Sequence, residues 1–154
     1  MRVLCAVGQR GGPELVQRVA EILRPGSELL LVHVADTGPH HDLKHLIGSL
    51  RHGPARGPER EGELHAAEEA TGKVALMEAE SAAQAAGFTT SRSLVWGRPE
   101  AMILQIAEDE KVSLISMWAR EGAEGHPHIG PASVGHTARF VLDHAPCDVL
   151  LLRD

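Results

Sequence analysis

The sequence predicts an α/β fold, a mostly parallel sheet with helices packed on both faces. Short apolar runs at residues 3–7, 29–34, 93–96, 111–117 and 148–152 have the near-continuous hydrophobicity of strands covered on both sides. Between several of them, apolar residues recur at helical spacing, so strands alternate with helices, the pattern that builds parallel sheets. The length, 154 residues with 43 % apolar side chains, suits a single domain over residues 1–154 with an ordinary buried core.

The first strand is Val3-Leu4-Cys5-Ala6-Val7, closed by Gly8-Gln9-Arg10-Gly11-Gly12. Pro13 suits the first turn of a helix, where its missing N–H is not needed. Leu15, Val16, Val19, Ala20 and Leu23 share one face of that helix until Arg24-Pro25-Gly26-Ser27 ends it. Leu29-Leu30-Leu31-Val32-His33-Val34 is the second strand. Residues 36–60 break the rhythm with histidine, glycine and proline, and hold one short helical pattern at Leu43, Leu46, Ile47 and Leu50. Within it, the segment from His40 to Arg60 is expected to be the most mobile part and to act as a cover or partner-binding flap near a ligand crevice. From 61 to 86 the chain is rich in Ala and Glu. Leu64, Ala67, Thr71, Val74, Met77 and Ala82 form the stripe expected to face the core, and Gly87 ends the helix.

Ser93-Leu94-Val95-Trp96 is the third strand, and Gly97-Arg98-Pro99 opens a helix bearing Met102, Ile103, Ile106 and Ala107. The fourth strand covers 111–117. After a glycine-rich loop, Gly135 opens a helix bearing Ala138, Val141 and Leu142, which Ala145-Pro146 ends before the fifth strand. In such folds ligands lie beyond the C-terminal ends of the strands, where strand order reverses. Residues 8–12, 35–37 and 118–135 are expected to meet there.

The net charge of −6 disfavours binding to nucleic acid or to an anionic membrane surface, since both require a positive field. No apolar run approaches the roughly 20 residues needed to span a bilayer. Met1-Arg2 leads directly into the first strand, so no secretory leader is read. Cys5 and Cys147 sit in or beside apolar runs and read as two buried free thiols, which points to a reducing cytoplasm.

The most specific signal follows the fourth strand. Gly122, two residues, Gly125, nine residues and then Gly135-His136 place glycines after a buried strand and before a helix. Backbone N–H groups at such a turn, together with the field of the helix start, suit phosphate. Pro127 and Pro131 stiffen the loop and remove two donors, Glu121 and Glu124 repel phosphate, and Arg120 and Arg10 are the nearest cations.

Taken together, these features resemble the universal stress protein family over essentially the whole chain. The resemblance is carried by the opening Val-Leu-Cys-Ala-Val strand, the second strand ending Leu-Val-His-Val, Gly97-Arg98-Pro99-Glu100, and the tail from Gly135 through Ala145-Pro146-Cys147 to the last strand. It implies a three-layer α/β/α sandwich, Rossmann-like and similar to the adenine nucleotide alpha hydrolases. The expected sheet has five parallel strands of order 3-2-1-4-5, with a homodimer formed through the last strands. It also implies a site for ATP or another adenine nucleotide (ADP, AMP). In that site Gly122, Gly125 and Gly135 hold phosphate and ribose, with His136 at the Ser/Thr position and Thr137 beside it, and Val34 and Met117 map to the adenine pocket. Gly8 stands where the family carries an Asp, and Trp118-Ala119-Arg120-Glu121 separate the strand from the first glycine. Weak nucleotide binding is therefore expected.

Two other readings compete. In one, the chain is a nucleotide-independent dimeric module that acts through an unknown regulatory protein partner. In the other, the histidines serve a metal or pH response: His41 and His45 share a helical face, and His126, His128 and His136 surround the glycine loop. No recognised metal spacing occurs, so no metal site is assigned. No nucleophile–base–acid pattern, Walker loop or Gly-x-Ser-x-Gly appears, so no catalytic residue is assigned and at most slow ATP hydrolysis is expected.

Overall fold

The computed structural model describes residues 1–24, 26–36, 58–119 and 134–153, with 58–61 as backbone alone. The elements in chain order are β1 (Arg2–Ala6), α1 (Gly12–Ile22), β2 (Glu28–Asp36), α2 (Pro58–Ala85), β3 (Thr89–Gly97), α3 (Pro99–Asp109), β4 (Leu114–Trp118), α4 (His136–His144) and β5 (Asp148–Leu152). All strand pairs are parallel, in one sheet of order β3-β2-β1-β4-β5. The chain winds outward from β1 to β3, crosses over, and winds outward again from β4 to β5. This reversal puts two helices on each face, and the point where it occurs, between the C-terminal ends of β1 and β4, is where folds of this kind bind ligands.

The alternation of strand side chains divides the core accordingly. Val3 and Cys5 of β1 and Leu29 and Leu31 of β2 pack with Leu15, Val16 and Val19 of α1 and with Ala75, Leu76, Ala79 and Ala83 of α2. Leu4, Leu30, Val32 and Ile115 point the other way, onto Ile103 and Ala107 of α3 and Ala138 and Val141 of α4. Near-continuous apolar strands follow from this, because β1, β2 and β4 are covered twice.

One expectation is corrected by α2. The stripe of Leu64, Ala67, Thr71, Val74 and Met77 faces solvent, and only Ala82 is half-buried. The buried face is instead Gly72, Ala75, Leu76, Ala79 and Ala83. Small residues let a long helix lie close to the sheet, and the bulkier apolar residues then fall on its far side. Smaller differences lie at the ends. β3 begins earlier than expected, and β4 spans Leu114–Trp118 rather than 111–117, because Lys111 turns with φ 49° between α3 and the strand. Cys147 is half-buried rather than buried, whereas Cys5 is fully enclosed. The expected flap over residues 40–60 lies outside the described residues except for 58–60, which begin α2.

Gly72 deserves a physical reason, since glycine inside a helix is about 1 kcal/mol less favourable than alanine. The reason is His33, which is buried on β2 beneath α2. A Cβ on Gly72 would lie 2.5 Å from His33 Cδ2, 2.9 Å from its Nε2 and 3.0 Å from Leu94 Cδ1. No side chain fits between this helix and that ring.

Candidate functional site

Parallel strands end together, so the C-terminal edge of the sheet gathers the β1–α1 loop, the end of β2, the end of β4 and the starts of α1, α3 and α4. Helix starts carry a partial positive charge from their aligned peptide dipoles. At α1, α3 and α4 the N-cap residues are Gly11, Arg98 and Gly135, none of which makes a side-chain cap hydrogen bond. The first turns of α1 and α3 carry Glu14 and Glu100, whereas that of α4 has no acidic residue. Of these three starts, α4 is the one whose own first turn keeps its positive field.

Gly135 adopts φ 88° and ψ 161° at that start, a conformation open to glycine and strained for any other residue. His136 follows, 81 % exposed, with Nε2 3.9 Å from Glu100 Oε1 of α3, at the outer limit of an ion pair. Such a contact on an exposed imidazole contributes little to stability. Thr137 is half-buried behind it, and Ala138 enters the core. Val34 and Met117 lie on the same side of the sheet as α4. Val34 is half-buried near the end of β2, but Met117 is 6 % exposed and packed in the core with Ile115 and Val141. Gly122 and Gly125 lie outside the described residues, as do Arg120, the two loop prolines and the loop histidines. The structure thus gathers Gly135, His136 and Thr137 at one helix start and puts Val34 on the same face.

Across the crevice, the loop after β1 is held from both flanks. The Nδ1–H of His33, on β2, donates to the Val7 carbonyl at 2.8 Å, which also fixes the tautomer, because a carbonyl can only accept. From the end of β4, the indole Nε1–H of Trp118 donates to the Gly11 carbonyl at 2.9 Å. Gly11 has φ 72°, and a Cβ on it would come within 3.2 Å of that indole nitrogen. Between the two anchored carbonyls lie Gly8, Gln9 and Arg10, all exposed. Sequence reasoning did not give His33 or Trp118 a role. The available signal was a lone polar ring in an otherwise apolar strand, and a tryptophan immediately after a buried one. At Gly8 a Cβ would meet nothing closer than the Arg10 carbonyl at 3.5 Å, so the missing acid reflects no shortage of room.

The remaining chemistry is sparse. Burial pushes the Cys5 thiol up to about 12, which keeps it protonated and unreactive. The Cys147 thiol is also raised, first by burial and then by the charge of Asp148, while a hydrogen bond with the Ile115 backbone acts the other way. Among the described residues no group of three His, Cys, Asp or Glu side chains could hold a metal ion. Among them, too, no helix is long and apolar enough to cross a membrane.

Comparison with known proteins bears on the same edge. Residues 1–153 match the universal stress protein family. Among solved structures, the hypothetical protein MJ0577 is similar at 22 % identity and a TM-score of 0.74, over 99 % of this chain and 95 % of that one. The universal stress protein UspA from Lactobacillus plantarum gives 24 % and 0.68, over 99 % and 97 %. A universal stress protein family protein from Arabidopsis thaliana, solved with AMP bound, gives 15 % and 0.64, over 99 % and 91 %. A search of curated proteins finds no match. The chain belongs to the universal stress protein family, and its five-stranded parallel sheet of order 3-2-1-4-5 with flanking helices is that family's Rossmann-like fold.

Proposed function

We propose that this member of the universal stress protein family is a cytoplasmic stress-response protein that binds an adenine nucleotide weakly at the C-terminal edge of its sheet. The phosphates sit at the start of α4 and the base on the Val34 side. The observation that carries this reading is the α4 start, where Gly135 holds a glycine-only conformation and the first turn has no acid of its own. Such a start offers N–H donors and a positive field to an anion without an internal carboxylate competing for it. The AMP bound to the Arabidopsis protein supports the choice of adenine nucleotide. Binding is weak because Gly8 supplies no side-chain acceptor for ribose or base, and one such hydrogen bond is worth roughly a factor of 5–150 in affinity when its partner is left buried.

Titration calorimetry with ATP, ADP and AMP tests this. Millimolar to high-micromolar affinity is expected, and it is lost in Gly135→Val, where a β-branched residue cannot adopt φ 88°. No heat at millimolar nucleotide refutes the proposal. A second reading is favoured by β5, which pairs with β4 on one side and ends the sheet on the other. In it the chain works as a homodimer through that strand and acts on a regulatory protein partner without nucleotide. Neither reading assigns a catalytic residue.

A further inference from the structure

We infer that His33 and Trp118 are positioning residues that hold the β1–α1 loop as a fixed wall of the crevice. The inference rests on the nucleotide reading above for its ligand, but on the ligand-free geometry for its mechanism. Each ring carries one N–H, and each N–H ends on a carbonyl at one end of the same loop: His33 Nδ1 on Val7 at 2.8 Å from β2, Trp118 Nε1 on Gly11 at 2.9 Å from β4. The two anchors come from the strands that flank β1 on either side. Between them the exposed loop residues are Gly8, Gln9 and Arg10, of which the first has no side chain to tether it.

Both anchors have room made for them. Gly72 leaves the space that the His33 ring fills, and Gly11 lets the indole nitrogen approach its own carbonyl. A loop free to move would lose entropy on each binding event, whereas one tied at both ends has already lost it. With Gly8 in place of an acid, the crevice depends more on such preorganisation than on any side-chain contact at that position. The two rings therefore act through the loop and do not themselves touch the ligand.

The test uses His33→Phe, Trp118→Phe and the rescuing variant His33→Asn, whose amide restores a donor near the Nδ1 position. In ligand-free protein, the backbone ¹⁵N order parameters of residues 8–11 should fall in both Phe variants, with those of β1 and β2 unchanged, and return toward wild type in His33→Asn. AMP affinity, by calorimetry at matched global stability, should fall about three- to tenfold in the Phe variants and recover in His33→Asn. Unchanged loop order parameters in both Phe variants overturn the clamp. Lower loop order with unchanged AMP affinity overturns its bearing on the ligand. If wild-type protein binds no AMP while the loop order responds as expected, the nucleotide reading fails and the clamp stands.

Discussion

Replacing Gly72 with alanine sets two physical effects of opposite sign against each other. Intrinsic helix propensity favours alanine by about 1 kcal/mol at an interior position. Sterics oppose it, because the new methyl carbon would stand 2.5 Å from His33 Cδ2 and 2.9 Å from Nε2. The obstruction is a buried ring held by its hydrogen bond to Val7, and α2 is locked to the sheet along Ala75, Leu76, Ala79 and Ala83, so neither side yields easily. Overpacking of this kind typically costs about 1–3 kcal/mol. Displacing the ring adds about 1–3 kcal/mol if the Val7 carbonyl is left buried without its donor. The sum is a net destabilisation of roughly 3 kcal/mol, or a fall in Tm of about 6–12 °C for a chain of this length. Urea denaturation of the wild type, Gly72→Ala, His33→Ala and the double variant measures it. Without the ring the clash disappears, so Gly72→Ala should become neutral or stabilising by up to about 1 kcal/mol, a coupling of about 3–4 kcal/mol. A Gly72→Ala protein more stable than wild type would refute the role given to His33 in shaping that helix.

Other perturbations probe the remaining claims. Cys5 is pushed up to about 12 by burial, so the folded state keeps a proton that the unfolded chain releases above its ordinary value of 9.0. The stability associated with the neutral thiol is therefore complete below pH 9 and is lost as pH rises toward 12, by about 1.4 kcal/mol per unit. Denaturation at pH 8.5 and 10.5 should show a loss about 2 kcal/mol larger in wild type than in Cys5→Ala, and equal losses would rule this out. Gly8→Asp, for which the backbone leaves room, should tighten ATP binding at least fivefold; unchanged affinity would mean that the nucleotide does not pass that loop. Leu151→Lys, on the edge strand β5, should convert a dimer into monomer or insoluble protein. A monomeric wild type by light scattering at tens of micromolar removes the interface.

What was legible in the sequence was whatever large apolar side chains encode. β1 and β2 are runs rich in Val and Leu buried on both faces, β5 is a Val and Leu run that lies half-buried at the sheet edge, and α1 shows its core face directly in Leu15, Val16 and Val19. On α2 the same logic misled, because Leu64, Val74 and Met77 are the conspicuous residues while the buried face is built mainly from Gly and Ala, with Leu76 among them. Hydrophobic periodicity weighs residues by size, but packing close to a sheet selects for smallness. At the candidate site, glycine spacing singles out Gly135, which takes φ 88° at the start of α4, and the place before the loop singles out Met117, which packs in the core beneath that edge.

His33 and Trp118 escaped sequence reasoning because their partners are backbone carbonyls, which every residue possesses and no sequence displays. What the sequence does display is the complementary mark, a glycine wherever the ring has to fit: Gly72 opposite His33 and Gly11 opposite Trp118. Those glycines are separated from their rings by 39 and 107 positions, numbers that mean nothing until the parallel order of the strands brings them together. The glycines of this chain therefore divide by what they accommodate. Gly135 gives the backbone a conformation at a helix start, whereas Gly11 and Gly72 also yield space to aromatic donors that tie down the loop across the crevice. Substitution at Gly135 should therefore abolish nucleotide affinity with little change in the backbone order parameters of residues 8–11, and substitution at Gly72 should do the reverse, loosening the loop more than it weakens binding. Identical effects at the two positions would mean that one rigid edge, rather than two separable walls, forms the site.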